Sequence, residues 1–174
     1  MDECPGPAFM FSQAPPAAPL RYRHIMSSFS RMLLVYDGTS EAQAALQRCS
    51  QLSLALSAPV DVVAVVDAEA VNASSGGLLT DVAYTHLEEI ARNTLSDAVM
   101  QLANIGIVAN GYVKYGRIAD VVARHAQTFN PDLIVLGHRA RARRLRWWSE
   151  RPAHVDLAER LCGTTIVTVT LASA

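Results

Sequence analysis

Two uninterrupted apolar runs, each stopping at a turn-forming residue, set the tightest limits on this fold. Met32-Leu-Leu-Val-Tyr36 ends at Asp37-Gly38, and Leu133-Ile-Val-Leu136 ends at Gly137. Neither run alternates apolar with polar residues, as a strand with one wet face would. Such runs suit strands covered on both sides, which is the condition of a parallel sheet between layers of helix.

The segments between and around them keep that rhythm. Ser40 is a candidate helix cap, with Gln43 three residues on completing a capping box. Ala42, Ala45, Leu46, Cys49, Leu52 and Leu56 follow at helical spacing until Pro59. Val60 to Val66 reads as a second strand. Residues 67–80 read as a loop, with Asn72 to Gly77 as its breaker cluster. Leu87, Ile90, Ala91, Leu95, Ala98, Val99, Leu102 and Ile105 mark a long helix, which Gly106 ends as a C′ glycine. Ile107 to Lys114 is a weaker strand. After the turn at Tyr115-Gly116, a helix carries Ile118, Val121, Val122 and Ala126 as far as the break at Asn130-Pro131. A short helix is predicted over 153–161, and Thr164 to Leu171 is a final strand and an edge candidate. The order β-α-β-loop-α-β-α-β-loop-α-β predicts an α/β fold, a parallel sheet with helices on both faces. Its crossovers should be right-handed. Ligands of such sheets bind beyond the carboxyl ends of the strands, where strand order reverses. Two loops with unusual chemistry leave strand ends here: Asp37-Gly-Thr-Ser40, and Gly137 to Arg151.

A chain of 174 residues fits one domain of ordinary size. Residues 1–30 hold five of the eight prolines and no sustained apolar period. They read as a disordered tail before a domain at 31–174, and Met26 is an alternative start. No apolar run reaches the ~18–20 residues of a membrane span, and no secretory pattern is visible. Cys4, Cys49 and Cys162 form neither a CxxC pair nor a disulfide framework. Cys49 and Cys162 are expected to be buried and inert. These features lead to the expectation of a soluble cytoplasmic protein.

The net charge of −1 excludes a generally basic nucleic-acid binder. The charge is uneven, however. Arg139, Arg141, Arg143, Arg144, Arg146 and Arg151 against Glu150 give residues 139–151 a charge of +6 − 1 = +5, which leaves −1 − 5 = −6 for the rest. No P-loop, dinucleotide fingerprint or nucleophile elbow is present. The five histidines, His24, His86, His125, His138 and His154, show no metal-ligand spacing with cysteines or acids. No catalytic residue and no metal site is expected.

Leu33-Leu-Val-Tyr-Asp-Gly-Thr-Ser40 leads into an Ala-rich helix. Gly116-x-x-Ala-Asp-Val-Val leads into Pro131-Asp-Leu-Ile-Val-Leu-Gly-His-Arg139. Together, over residues 31–171 and in that order, these motifs resemble the universal stress protein family. The resemblance implies a five-stranded, Rossmann-like parallel sheet of the adenine-nucleotide-binding type. It implies a cofactor, ATP or AMP, with Asp37, Gly38 and Thr39 at the base and ribose. Val66 would line the adenine pocket and Gly137 would begin the phosphate loop, with His138, Arg139, Arg141 and Arg151 as further candidate contacts if the loop arginines form a rewired anion site. It also implies a homodimer through the C-terminal strand.

The family's phosphate loop runs Gly, two residues, Gly, nine residues, Gly, then Ser or Thr. Here Gly137 matches the first glycine, but Ala140, Glu150 and Arg151 stand at the remaining positions. Alanine at a left-handed position costs about 1–2 kcal/mol, and a lost hydrogen bond to a charged phosphate about 1.5–3 kcal/mol. Together these weaken binding by on the order of 10²–10³-fold. Guanidinium forks bind phosphate without backbone help, so a rewired anion site is the counter-reading. Three functions follow: a non-catalytic stress-response or regulatory module with weakened or lost nucleotide binding; a working ATP or AMP binder with slow hydrolysis; and a module that holds RNA or a protein partner through its arginines and Trp147-Trp148. Nucleic acid is the less favoured partner, because only one short stretch is basic. Asp37 itself reads equally as a ligand contact or as a residue that only starts a helix.

Overall fold

The computed structural model describes residues 29–67, 81–139 and 152–171. Nine elements follow in order: β1 (Met32–Val35), α1 (Ser40–Leu56), β2 (Val60–Val66), α2 (Asp81–Asn104), β3 (Ala109–Tyr115), α3 (Ile118–Phe129), β4 (Leu133–Arg139), α4 (Ala153–Arg160) and β5 (Thr165–Leu171). The strands form one parallel five-stranded sheet in the order β3-β2-β1-β4-β5. The expected α/β architecture is what the chain adopts. Strand order reverses between β1 and β4, so their carboxyl ends flank the crevice where such sheets take ligands.

Strand alternation divides the core in two. Met32, Leu34, Val60, Val62, Leu133 and Val135 face α1 and α2, and pack on Ala45, Leu46, Cys49, Ala98 and Leu102. Leu33, Val63, Ile134 and Leu136 face α3 and α4, and pack on Val121, Val122 and Leu157. Arg160 of α4 pairs with Asp120 of α3, joining the two helices on that face. Burial raises the Cys49 thiol to about 12, so it remains a protonated core residue.

Four local expectations change. The cap of α1 is Thr39, not Ser40. Thr39 is extended (φ −70°, ψ 165°), and its Oγ1 accepts from the Ala42 N–H at 3.2 Å. Asp37 decides between the two hydroxyls. Its Oδ1 accepts from Thr39 N (3.1 Å) and Thr39 Oγ1 (2.6 Å), turning that hydroxyl toward the helix. The Gln43 side chain does not close a capping box; it accepts from Tyr36 Oη and donates to Gln101.

Ile90 and Ile105, read as core, are 48% and 49% exposed. Ile90 lies five residues before Leu95, about 140° round the helix from it, and Ile105 follows the last turn. Cys162, read as buried, is exposed, because it sits in the turn to β5 beside Gly163, whose φ is +83°.

Residues just ahead of β1 are tied to the sheet. Phe29 packs against the core. Ser30 N, Ser30 Oγ and Arg31 N all donate to Asp132 Oδ2, at 2.6, 3.0 and 3.1 Å. The Ser30 backbone N–H chiefly, and these other donors with it, hold the Asp132 carboxyl below the usual range. The loop expected over 67–80 falls, beyond Asp67, outside the described residues, as do residues 1–28 of the expected tail.

Candidate functional site

The carboxyl ends of β1, β2 and β4 gather the residues that the sequence singles out. Tyr36 continues β1, and its N–H donates to Val63 O at 3.0 Å, which holds the chain in line as it leaves the sheet. Asp37 follows at the surface, exposed, with Oδ1 committed to Thr39. Gly38 takes φ +78°, a left-handed turn that lets Thr39 begin α1. Asp37 therefore helps build the turn that starts α1. It is also exposed, at the carboxyl end of β1 beside the switch point.

Val66 ends β2, 6% exposed, in register with Tyr115 of β3. The ring of Tyr115 stacks on Tyr84 of α2 with centroids 5.9 Å apart. Behind Asp37, Tyr36 is bonded to Gln43, and Gln43 to Gln101 of α2. Burial, with Asp97 and then Asp37 adding to it, raises the Tyr36 phenol, so it stays neutral as a donor.

Gly137 does not occupy a left-handed turn. It lies within β4, and a Cβ there would stand 2.4 Å from the carbonyl carbon of Glu41, 2.5 Å from its oxygen and 2.7 Å from Ala42 N. The backbone of the first turn of α1 thus fills the space beside it. That packing alone requires glycine, whatever binds. Glu41 is a residue that sequence reasoning passed over. It is buried, accepts from Ser40 Oγ at 2.9 Å, and sets a carboxylate in the turn that abuts Gly137.

His138 is the next residue of β4 and so faces the opposite side, toward α4, where it meets His154. The backbone of Arg139 pairs with Leu171 of β5. The Arg139 side chain, Arg141, Arg151 and the loop positions Ala140, Glu150, Trp147 and Trp148 lie outside the described residues. The structure thus brings Asp37, Gly38, Thr39, Gly137 and His138 around the β1/β4 crevice, with Val66 one strand away.

A second polar cluster went unread. Asp61, 4% exposed, interrupts β2 on the α3 face and accepts from Asn110 Nδ2 at 3.1 Å. Nearby His125, also 4% exposed, stacks on Phe129 and meets Tyr112 edge-on. The signal was present in the sequence: an aspartate inside an apolar run, and a histidine on the apolar stripe of α3.

The family model described as the universal stress protein family matches residues 28–153. Among curated proteins, none matches the chain in sequence. Solved structures share its fold. A universal stress protein family member from Burkholderia pseudomallei is 19% identical with a TM-score of 0.62, over 81% of this chain and 96% of that one. The Archaeoglobus fulgidus universal stress protein in complex with dAMP is 16% identical with a TM-score of 0.54, over 81% and 97%. A universal stress protein in complex with cAMP is 15% identical with a TM-score of 0.58, over 83% and 98%. With a model match over most of its length and an unbroken β3-β2-β1-β4-β5 sheet, the chain belongs to the universal stress protein family.

Proposed function

We propose that this protein is a non-catalytic regulatory module of the stress-response kind. In this reading its crevice takes an adenine nucleotide weakly, through base and ribose rather than phosphates. The carrying observation is an asymmetry at the switch point. The half of the crevice for base and ribose keeps its Asp37 and Val66. The phosphate half keeps only Gly137, whose open side is filled by α1. The buried Glu41 side chain lies in that turn, and the loop sequence from Arg139 to Arg151 lacks the family's remaining glycines and, at position 151, its hydroxyl residue. Family members in complex with cAMP and with dAMP support an adenine ligand.

Calorimetric titration of the full chain with ATP and Mg²⁺, AMP and adenosine tests this. ATP is expected to bind with Kd above ~100 μM, adenosine within about tenfold of it, and Asp37→Ala to abolish the heat. ATP binding tighter than ~10 μM that is lost in Asp37→Ala would mean that the arginines carry the phosphates and that the site is a working ATP or AMP site. No heat up to ~1 mM with any of the three would remove the nucleotide and leave a protein partner.

The same reading includes a homodimer through β5. This strand lies at the sheet edge, pairs with β4 on one side, and exposes Leu171. An edge of seven residues invites a second strand. Sedimentation equilibrium is expected to give twice 18.8 kDa; a monomer at every concentration would end the dimer reading.

A further inference from the structure

One side of α2 is engaged by its neighbours except at its upper end. Ile90, Thr94 and Gln101 recur at i, i+4 and i+11, which lines them up along that side. Gln101 accepts from Gln43 Nε2 of α1 at 3.0 Å. Thr94 faces the turn that leaves β1, where a Cβ on Gly38 would stand 2.9 Å from its Cγ2. Gln43 is thus level with Gln101, and Gly38 with Thr94. Ile90 comes one turn further on, beyond the start of α1 at Ser40. An apolar side chain is left 48% exposed there.

β2 stands taller than β1 beside it. Val35 of β1 pairs with Val63, and Val66 follows at the end of β2, about 10 Å further along the strand. Val60, Val62 and Ala64 face α1 and α2, so alternation puts Val66 on that face as well. Val66 and Ile90 therefore bound one corner above the turn at Asp37 and Gly38. Val66 is nearly covered and forms its back, while Ile90 supplies the free apolar surface.

We propose that Ile90 is a specificity-determining residue that packs, with Val66 behind it, against the flat face of a purine base; this rests on the reading that the crevice takes an adenine nucleotide by its base and ribose. Apolar contact scales with area. The corner therefore favours the two fused rings of a purine over the single ring of a pyrimidine. Ile90 has no side-chain donor or acceptor, so it selects by ring area and not by hydrogen bonding.

The test is AMP and CMP titrated into the full chain and followed by NMR. AMP is expected to bind about fivefold tighter than CMP or better, with NOEs from the Ile90 δ1 methyl to adenine H2 or H8. Ile90→Ala should weaken AMP about threefold to tenfold and CMP less, which narrows the preference. Met100→Ala, exposed on the same helix about 80° round from Ile90, should change neither. AMP binding that is lost in Asp37→Ala but unchanged in Ile90→Ala, with no NOE to the Ile90 methyl, overturns the role of Ile90 and leaves the nucleotide reading standing. No AMP binding to the parent overturns both. The NOE is read on the unaltered chain, so it does not depend on a variant that folds.

Discussion

Gly137→Ala is expected to destabilise the protein by about 2–3 kcal/mol in urea unfolding, although it adds a single methyl group. The added carbon would lie 2.4–2.7 Å from three backbone atoms of Glu41 and Ala42. Backbone cannot swing aside as a side chain can. Either the first turn of α1 lifts off β4, or β4 bows away beneath it. Lifting α1 pulls on the run from Asp37 to Thr39 to Ala42 N that starts the helix. Gly106→Ala is the informative control. Gly106 has φ +82° but open space around its α-carbon, so alanine there costs only the left-handed strain of about 1–2 kcal/mol. Equal stability of Gly137→Ala and the parent would mean that α1 does not sit against β4 as described. A weakened ligand response in this variant is then a packing effect, not proof that Gly137 touches phosphate.

Mild acid should also loosen the fold, and His125 should be the main cause. The ring lies between Tyr112 at 4.9 Å and Phe129 at 4.3 Å, centroid to centroid, with neither nitrogen hydrogen-bonded. Burial lowers its pKa. Asp61 opposes that shift, and the charges of Lys114 and Arg31 reinforce it. A histidine whose folded pKa lies below its unfolded value of about 6.5 takes up its proton more readily when unfolded. Its contribution is therefore complete above about pH 6.5 and is lost as pH falls toward the folded value, at up to about 1.4 kcal/mol per pH unit. Asp132 carries the opposite kind of shift, with a depressed folded value, so its stabilisation is lost only below about pH 4. Urea unfolding at pH 7.5 and pH 5.0 separates the two. His125→Leu should flatten the dependence between those values. His154 titrates with the same sign, so the difference between the parent and His125→Leu is the quantity to read. An unchanged slope in the variant would refute the assignment.

What could be read from the sequence follows burial. β1, β2 and β4 lie inside the sheet and are covered on both faces, so their residues are mostly apolar, with Asp61 of β2 the buried exception and the end of β4 turning polar. β3 was legible only as a weak run. It is an edge strand, half-buried, and carries Asn110, Gly111 and Lys114. Its glycine makes room, since a Cβ at Gly111 would crowd Leu95 and Val99 at 3.0–3.1 Å. The cap of α1 was misplaced by one residue because Thr39 and Ser40 both fit the pattern, and the choice rests on which hydroxyl the Asp37 carboxylate grips. Cys162 looked like core from its apolar neighbours, but a turn turned it outward. Asp37 and Gly137 could be found because a switch point follows from strand order. Glu41 could not, since it acquires its meaning from a partner across the fold, Gly137.

The strand order has a consequence for how the chain is made. β1 is the first strand synthesised and the middle one of the finished sheet. β2 and β3 can pair outward from it as they emerge, with α1 and α2 closing one face. The other edge of β1, the hydrogen-bonding row from Met32 to Val35, meets Leu133 to Leu136 only after some hundred further residues have been made. Until then a nascent three-stranded sheet carries a bare, wholly apolar edge, the kind of template on which neighbouring chains pair. That edge is covered only when β4 seats against β1, so the pairing of Met32–Val35 with Leu133–Leu136 removes the template.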